Sequence, residues 1–306
     1  MCHFATGEGN GRAVTEWELR LRLPFVFAAY CVKITSYRIC FYWVKTDNHR
    51  RWISCHEMGS IYRKRSTQME GKLTGIGVGP GDPELLTLKA VRAITESDIL
   101  ILPGRSRDDC YAYRIVQKAL PEVAEKEFML ADFPMTKDKE ALKAAWEKTA
   151  EEICRLIDAG KKAAFLTIGD PSVYATYHYI HRLAEQRGKQ VEMISGVPSF
   201  CSAAARLGIS LGDGEEQIHI IPGSYGVEET TALSGTRIYM KSGKELRHVK
   251  KVLEEEAACR EKNGEELQVY AVADCGLENE MVMHGLEEWP ENLPYLTIVI
   301  VKVRKK

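Results

Sequence analysis

Short apolar runs alternate with amphipathic helical stretches from residue 72 to the end of the chain, and this alternation limits the possible folds more than any other feature. Residues 73–78 form an apolar run bounded by glycines, which is typical of a buried parallel strand. Residues 84–95 place apolar side chains at three- and four-residue spacing, which is typical of a helix. Repetition of this pattern predicts an α/β fold with mainly parallel sheets that helices cover on both faces. It predicts further strands at 98–102, 163–168, 191–194, 217–221, 236–241, 267–273 and 296–303, and further helices at 111–120, 137–159, 173–187, 199–207 and 245–260.

The composition of the chain changes near residue 69. Residues 1–68 carry a net charge of +6, whereas the remainder carries −7, and they show no sustained helical or strand period. Because Met69 stands just before the first clear strand, we expect 1–68 to be an extension outside the α/β fold, read in frame from upstream sequence; a genuine accessory segment is the alternative. A break near Gly188 divides the remainder into an N-terminal α/β domain (69–188) and a C-terminal α/β domain (189–306).

Charge and cysteine usage argue against several classes of protein. The net charge of −1 gives no support for nucleic-acid binding, which would favour a strong basic excess. The nine cysteines include no CxxC pair, so we expect scattered reduced thiols, no metal site and a cytoplasmic location. No apolar run approaches the ~20 residues that a membrane span needs, so we expect no membrane partner.

A glycine-rich turn lies between the first strand and the first helix. This first turn, residues 75–83, reads Gly-Ile-Gly-Val-Gly-Pro-Gly-Asp-Pro, and its small residues let a ligand approach the backbone. The spacing does not fit a dinucleotide-binding GxGxxG, because Pro80 or Asp82 occupies the place of the third glycine. No Gly-Lys pair completes a phosphate-binding GxxxxGK either. The first turn therefore disfavours a Rossmann oxidoreductase.

Two more turns join a strand to a helix in the same way. The second turn, residues 167–174, reads Thr-Ile-Gly-Asp-Pro-Ser-Val-Tyr, and the third turn, residues 195–200, reads Ser-Gly-Val-Pro-Ser-Phe. Asp170 could simply cap the following helix, and the alanines at 203–205 could simply allow close helix packing. Ligands in open α/β sheets bind outside the carboxyl ends of strands, however. Three such turns on the same edge together predict one binding cleft.

These three turns resemble the tetrapyrrole (corrin/porphyrin) methylase family. The family's opening pattern GxGPGDPxLLTLKA is similar to residues 77–90, its GDPxxY to 169–174, and its PGVSS-like turn with an alanine-rich helix and LGIPL to 195–211. The resemblance covers residues 69–306. Details at 101–104, 133–135, 199–208 and 239–243 are most similar to the family members that methylate C-20 of precorrin-2 or cobalt-factor II.

The resemblance implies two α/β domains that hold S-adenosylmethionine in the cleft between them, usually in a homodimer. This chain departs from the family pattern at Ser195, where a proline is usual, and at Pro198, where serine or threonine is frequent. Carried over position by position, the implied cofactor contacts are Pro80, Gly169, Asp170, Val173, Pro198, Ser199, Met240 and Ala271.

The implied substrate is a tetrapyrrole polycarboxylate, and arginine binds carboxylates bidentately. The candidate substrate contacts are Arg105, Arg107, Arg114, Tyr174 and Lys241. The methylated ring carbon must lose a proton, but no residue is nominated as the base, because Pro103 stands where some relatives carry an aspartate.

Several alternatives remain open at the level of sequence. The chain could methylate a different ring carbon, or act on a protein as a diphthine-synthase-like member does. A non-catalytic binding module that kept the cleft is another class of function, although the intact Gly-Pro-Gly-Asp-Pro and Gly-Asp-Pro segments argue against it.

Overall fold

The structure is a computed structural model. It describes the backbone of strands at 26–34, 37–45 and 50–54, and then residues 71–305 apart from 135, 137, 224 and 225. The chain divides into two compact units, Met1–Met69 and Glu70–Lys306.

The described part of the first unit is a three-stranded antiparallel sheet. Its strands are β1 (Val26–Ile34), β2 (Tyr37–Lys45) and β3 (Arg50–Ser54), in the order β1-β2-β3. The expectation that no strand pattern orders this stretch is therefore wrong for residues 26–34, 37–45 and 50–54. Neighbouring runs rich in aromatic and β-branched residues favour hairpins even without clean alternation. The placement of 1–68 outside the α/β fold stays a prediction.

The second unit begins with a five-stranded parallel sheet in the order β6-β5-β7-β4-β8. Short 3-10 helices at Pro83–Leu85 and Pro121–Glu125 lie in two of the connections. The elements of this first domain are β4 (Lys72–Gly77), α1 (Leu88–Thr95), β5 (Ile99–Pro103), α2 (Tyr111–Ala119), β6 (Glu127–Ala131), α3 (Lys139–Asp158), β7 (Lys162–Thr167), α4 (Tyr177–Gln186) and β8 (Val191–Ile194).

Helices cover both faces of this sheet. α1 and α2 pack on the face where Ile76 and Leu166 are fully buried. α3 and α4 pack on the other face, where Leu73 and Phe165 are fully buried. Successive side chains of a strand point to opposite faces, so each central strand contributes to both cores. Each such buried side chain contributes about 1.5–3 kcal/mol to folding.

The second domain contains a mixed sheet in the order β12-β11-β13-β10-β9, with α5 on one face and α6 on the other. Its 3-10 helices are Glu228–Ala232, Gly243–Glu245 and Leu286–Glu288. The other elements are α5 (Ser199–Leu207), β9 (Ile218–Pro222), β10 (Thr236–Met240), α6 (Leu246–Lys262), β11 (Glu265–Ala273), β12 (Met281–His284) and β13 (Thr297–Lys305).

The predicted α/β class with two domains is confirmed. Within 71–305, five of the eight strand pairings are parallel, so the sheets taken together are mainly parallel. The second sheet alone is not, because β13 inserts antiparallel between β10 and β11, and β12 forms a hairpin with β11. β6 and β12 are absent from the sequence prediction; both are short edge strands with partly exposed side chains.

Two predicted boundaries need correction. β8 pairs with β4, so the first sheet ends after Ile194 and not at Gly188. The connection through α4 returns the chain to the first sheet as β8. The length of this connection does not reveal to which sheet the chain returns. The helix predicted at 173–187 begins only at Tyr177, because Tyr174 adopts a left-handed conformation with φ of 47° and keeps the preceding residues in a loop.

Candidate functional site

The first sheet reverses its winding direction between β4 and β7. β4 leads to β5 on one side of the pair, whereas β7 leads to β8 on the other side. The two connections pass each other on opposite faces of the sheet, through α1 and α4, and ligands of open α/β sheets bind outside the carboxyl ends of strands at such a reversal. The first turn follows β4 and the second turn follows β7, so both turns lie at this reversal.

Glycine backbones bring the three turns into direct contact. Gly169 N donates to Gly79 O over 2.7 Å, and Gly79 N donates to Gly169 O over 3.3 Å. A Cβ on Gly196 would lie 2.2 Å from Gly169 O, and a Cβ on Gly77 would lie 2.5 Å from Gly196 N. The contacted atoms are backbone and cannot rotate away. The predicted convergence of the three turns is therefore a feature of the structure, and it depends on residues without a side chain.

The Asp170 carboxylate joins the second turn to the third. One oxygen accepts from Ser172 N over 2.8 Å and also from the Ser172 hydroxyl, while the other accepts from Gly196 N over 3.0 Å. The residue is only 7% exposed. Asp170 does not cap α4, since that helix starts after Thr176 without a side-chain cap. Both carboxylate oxygens are thus used to fix the relative position of two turns.

A cavity of about 240 Å³ lies where the two domains of the second unit meet at these turns. Seven of the eight predicted cofactor contacts line it together. They are Pro80, Gly169, Asp170, Val173, Pro198, Ser199 and Met240.

Ala271 is not among the lining residues. It is fully buried on the face of the second sheet that packs against α6, whereas its neighbour Val272 lies on the α5 face together with Met240. Strand alternation therefore turns Ala271 away from the cavity. Ala271 is therefore not a lining residue of this cavity, and its contact with a cofactor stays a prediction.

Several lining residues are missing from the sequence prediction. Cys275 follows β11, and Tyr295–Ile298 form the wall at the start of β13. A Cβ on Gly81 would lie 2.2 Å from Cys275 O, and one on Gly276 would lie 2.4 Å from Asp82 N, so the first turn packs backbone against backbone on the second domain. The sequence signal for this contact was the glycine just after β11. The 295–298 wall carries no local motif.

The predicted substrate residues divide into two groups. Tyr174 and Lys241 line the cavity, whereas the three arginines do not. Arg105 is 79% exposed and pairs with Asp132 over 3.4 Å. The Arg107 guanidinium lies over the Phe128 and Tyr113 rings, and the Arg114 guanidinium lies over the Tyr111 ring. The arginines thus contact their own domain, and a role in substrate binding stays a prediction for them.

Backbone strain is concentrated around the cavity. Among the described residues other than glycine, positive φ angles occur at Tyr174 (47°), Lys241 (55°) and Asp274 (49°). The first two line the cavity, and the third immediately precedes Cys275. Such conformations cost about 1–3 kcal/mol each and cluster at functional sites.

Burial also shifts the titration of groups at the cavity. It raises the pKa of the Cys275 thiol and of the Asp274 carboxyl, and it lowers the pKa of the Lys241 ammonium. Ser202 Oγ and Cys275 Sγ are 3.3 Å apart. Desolvation is the largest cause of the shift in all three groups, although only Cys275 is buried as a whole residue, whereas Lys241 is exposed to solvent.

A second, larger depression lies elsewhere on the second domain. It has a volume of about 830 Å³ and runs between α6 and residues 289–295. It is an open groove, and none of the three turns contributes to it. Among the described residues, no helix has the length and apolar character to span a membrane, and no cluster of three or more His, Cys, Asp or Glu is arranged to hold a metal.

Comparison with known proteins gives consistent matches. Residues 72–289 match the family described as Tetrapyrrole (Corrin/Porphyrin) Methylases. A probable cobalt-precorrin-2 C(20)-methyltransferase of Methanocaldococcus jannaschii is 33% identical over 239 residues, which are 77% of this chain and 97% of that protein. A precorrin-2 C(20)-methyltransferase of Sinorhizobium sp is 29% identical over 244 residues, or 76% of this chain and 95% of that protein.

Solved structures support the same fold. A cobalt precorrin-4 methyltransferase superposes with a TM-score of 0.59 at 18% identity, over 78% of this chain and 96% of the other. A uroporphyrin-III C-methyl transferase from Thermus thermophilus, solved with S-adenyl homocysteine, gives a TM-score of 0.55 at 21% identity, over 76% and 97%. At these identities the likeness concerns the architecture of the second unit.

Proposed function

This chain belongs to the tetrapyrrole (corrin/porphyrin) methylases, and from that premise we propose that it transfers a methyl group from S-adenosylmethionine to C-20 of precorrin-2 or cobalt-factor II in cobalamin biosynthesis. The observation that carries the proposal is the match to a probable cobalt-precorrin-2 C(20)-methyltransferase over 97% of that protein's length. The same match supports an enzyme and not a binding module.

The residues around the cavity fit S-adenosylmethionine. Pro80, Val173 and Met240 offer apolar surface for a flat adenine, while Thr167 and Ser199 add a few polar groups, and such a mixture is usual for cofactor sites. Glycines occupy the positions where the turns meet. Because they carry no side chain, backbone atoms lie at the cavity wall there. We propose the seven lining residues identified above as the donor contacts.

Positioning is the main task of this chain in the reaction. S-adenosylmethionine supplies, when bound, a methyl group that its positive sulfur already activates. The three turns and the end of β10 form walls from two domains, and holding reactants in line can contribute roughly 7–11 kcal/mol. Asp170, one of the proposed donor contacts, also fixes the relative position of the second and third turns, because both of its oxygens accept hydrogen bonds from them.

We also propose which side chains contact the tetrapyrrole. They are Tyr174 and Lys241 at the cavity, and Arg105, Arg107 and Arg114 beyond it. A homodimer, a cytoplasmic location and a position of residues 1–68 outside the catalytic fold are further parts of the proposal. Tyr174, Lys241 and Tyr295 surround the cavity and combine aromatic and cationic groups, which suits a flat polycarboxylate.

The methylated carbon can be identified directly. The full chain is incubated with methyl-¹³C-labelled S-adenosylmethionine and with precorrin-2 or cobalt-factor II in separate reactions, and the products are analysed by mass and ¹³C NMR spectra. We expect one labelled methyl group on C-20 of at least one substrate. Label on another ring carbon would favour a different ring-methylating member, and label in neither tetrapyrrole would refute the proposal.

Cys275 provides a probe of the cavity by its chemistry. Because burial raises its pKa, the reactive thiolate is scarce at neutral pH, and alkylation by iodoacetamide should accelerate as pH rises above about 8.5. We expect S-adenosylhomocysteine to protect Cys275 but not the exposed Cys259. Peptide mass mapping of the full chain measures both rates. Equal alkylation of Cys275 with and without S-adenosylhomocysteine would argue against donor binding in this cavity.

A further inference from the structure

Two charged side chains, Asp170 and Lys241, line the cavity among the described residues, and neither forms a salt bridge with a described residue. Asp170 accepts hydrogen bonds on both oxygens from Ser172 and Gly196. Lys241 Nζ donates to the backbone carbonyl of Tyr174, a neutral acceptor, and makes no salt bridge with a described residue. The cavity therefore contains one ammonium whose negative partner is not supplied by the described part of the chain.

The position of this ammonium is held from both domains. Lys241 directly follows Met240 at the end of β10, in a left-handed conformation with φ of 55°. Tyr174 comes from the second turn on the opposite wall, and its phenol OH donates to Ile220 O over 3.2 Å. Tyr174 thus contacts the second domain through both its side chain and its carbonyl. The ammonium is fixed where the two domains meet.

Lys241 is exposed to solvent as a residue, and its ammonium is partly desolvated where it meets the Tyr174 carbonyl. Removing a charge from water costs free energy unless an opposite charge and hydrogen bonds replace the lost hydration. Partial desolvation lowers the pKa of the Lys241 ammonium, and no carboxylate among the described residues opposes this shift. A carboxylate that entered the cavity would accept a charge-assisted hydrogen bond from Nζ and restore the balance.

We propose that Lys241 is the carboxylate receptor of this cavity, with the Tyr174 carbonyl as the group that holds its ammonium in place. The inference rests on the proposed function for the identity of the ligands. Two sources offer the same chemistry: the amino-acid carboxylate of the methyl donor, and an acidic side chain of the tetrapyrrole. Either one would supply the missing counter-ion.

The test compares Lys241→Met, which removes the charge but keeps the length, with Lys241→Arg, which keeps the charge. Lys143→Met is the control, since Lys143 is exposed on α3 and outside the cavity. Calorimetry on the full chain measures the Kd of S-adenosylhomocysteine and of 5′-methylthioadenosine, which lacks the amino-acid carboxylate. Fluorescence titration measures the binding of uroporphyrin, a tetrapyrrole polycarboxylate.

We expect Lys241→Met to weaken a carboxylate ligand by about tenfold or more, and Lys241→Arg to restore most of its affinity. If the donor is the source, S-adenosylhomocysteine binds more weakly while 5′-methylthioadenosine is unchanged. If the tetrapyrrole is the source, uroporphyrin binding weakens while both adenosine ligands are unchanged. The affected affinity should also fall with rising pH in the native chain and become independent of lysine titration in Lys241→Met.

Two outcomes would overturn the inference. One is unchanged affinity for all three ligands, and the other is an equal loss that includes 5′-methylthioadenosine, because that loss would mean a distorted cavity. The proposed function is tested separately, because it is refuted if the native chain methylates neither tetrapyrrole. In that case, a selective loss of S-adenosylhomocysteine affinity in Lys241→Met would still support the receptor role.

Discussion

Replacing Gly196 with alanine is expected to weaken S-adenosylhomocysteine binding by about 100-fold or more, which corresponds to roughly 3 kcal/mol. The added Cβ would lie 2.2 Å from Gly169 O and 2.7 Å from the carbonyl carbon of Gly77. No rotamer change relieves this contact, because all of these atoms are backbone. The second and third turns must separate, and the cavity they line loses its shape. Calorimetric titration of the full chain measures the effect.

Gly188→Ala is the matched control. A Cβ there meets no atom within 4 Å, although its φ of 70° makes alanine unfavourable by about 1–2 kcal/mol. We expect this variant to unfold at a lower temperature than the native chain yet to keep its donor affinity. An unchanged Kd in Gly196→Ala, or an equal loss in Gly188→Ala, would contradict the role assigned to the contact between the turns.

Replacing Asp170 with alanine is expected to raise the Kd of S-adenosylhomocysteine by about 100-fold. The change leaves the N–H groups of Ser172 and Gly196 without their acceptor, and the loss of a hydrogen bond to a charged group costs about 1.5–3 kcal/mol. Asp170→Asn should fall between alanine and the native residue, because one amide oxygen still accepts while the NH₂ group opposes an N–H. The same titration gives all three affinities.

Asp138→Ala serves as the control for loss of a carboxylate that binds backbone N–H groups. Asp138 caps α3 and accepts from Glu140 N over 2.9 Å and from Ala141 N over 3.3 Å, away from the cavity. Its loss should lower stability by about 1 kcal/mol without changing donor affinity. If Asp170→Ala bound S-adenosylhomocysteine as tightly as Asp138→Ala does, Asp170 would not hold the site together.

The parts of the site that sequence could predict are those with a local signal. Buried parallel strands are short apolar runs, and the turns after β4, β7 and β8 carry glycines that the backbone contacts require. Because the carboxyl ends of parallel strands lie at one edge of a sheet, the sequence alone could assign the three separate turns to one cavity. Pro80, Asp170 and Met240 do line the same cavity.

The parts that sequence could not predict depend on distant pairing. Ala271 and Val272 are neighbours in one apolar strand, and only the position of α5 and α6 decides which of them lies on the same face as Met240. Tyr295–Ile298 reach the wall because β13 inserts antiparallel between β10 and β11. The direction of the arginines after β5 is likewise set by the rings they stack on, which a linear pattern does not encode.

A crystal structure of the full chain with S-adenosylhomocysteine tests the central claim most directly. The account predicts the ligand in the cavity of about 240 Å³, against Pro80 of the first turn, Gly169 of the second turn and Met240 of β10. Ligand density in the open groove between α6 and residues 289–295, with the cavity between the turns empty, would contradict it.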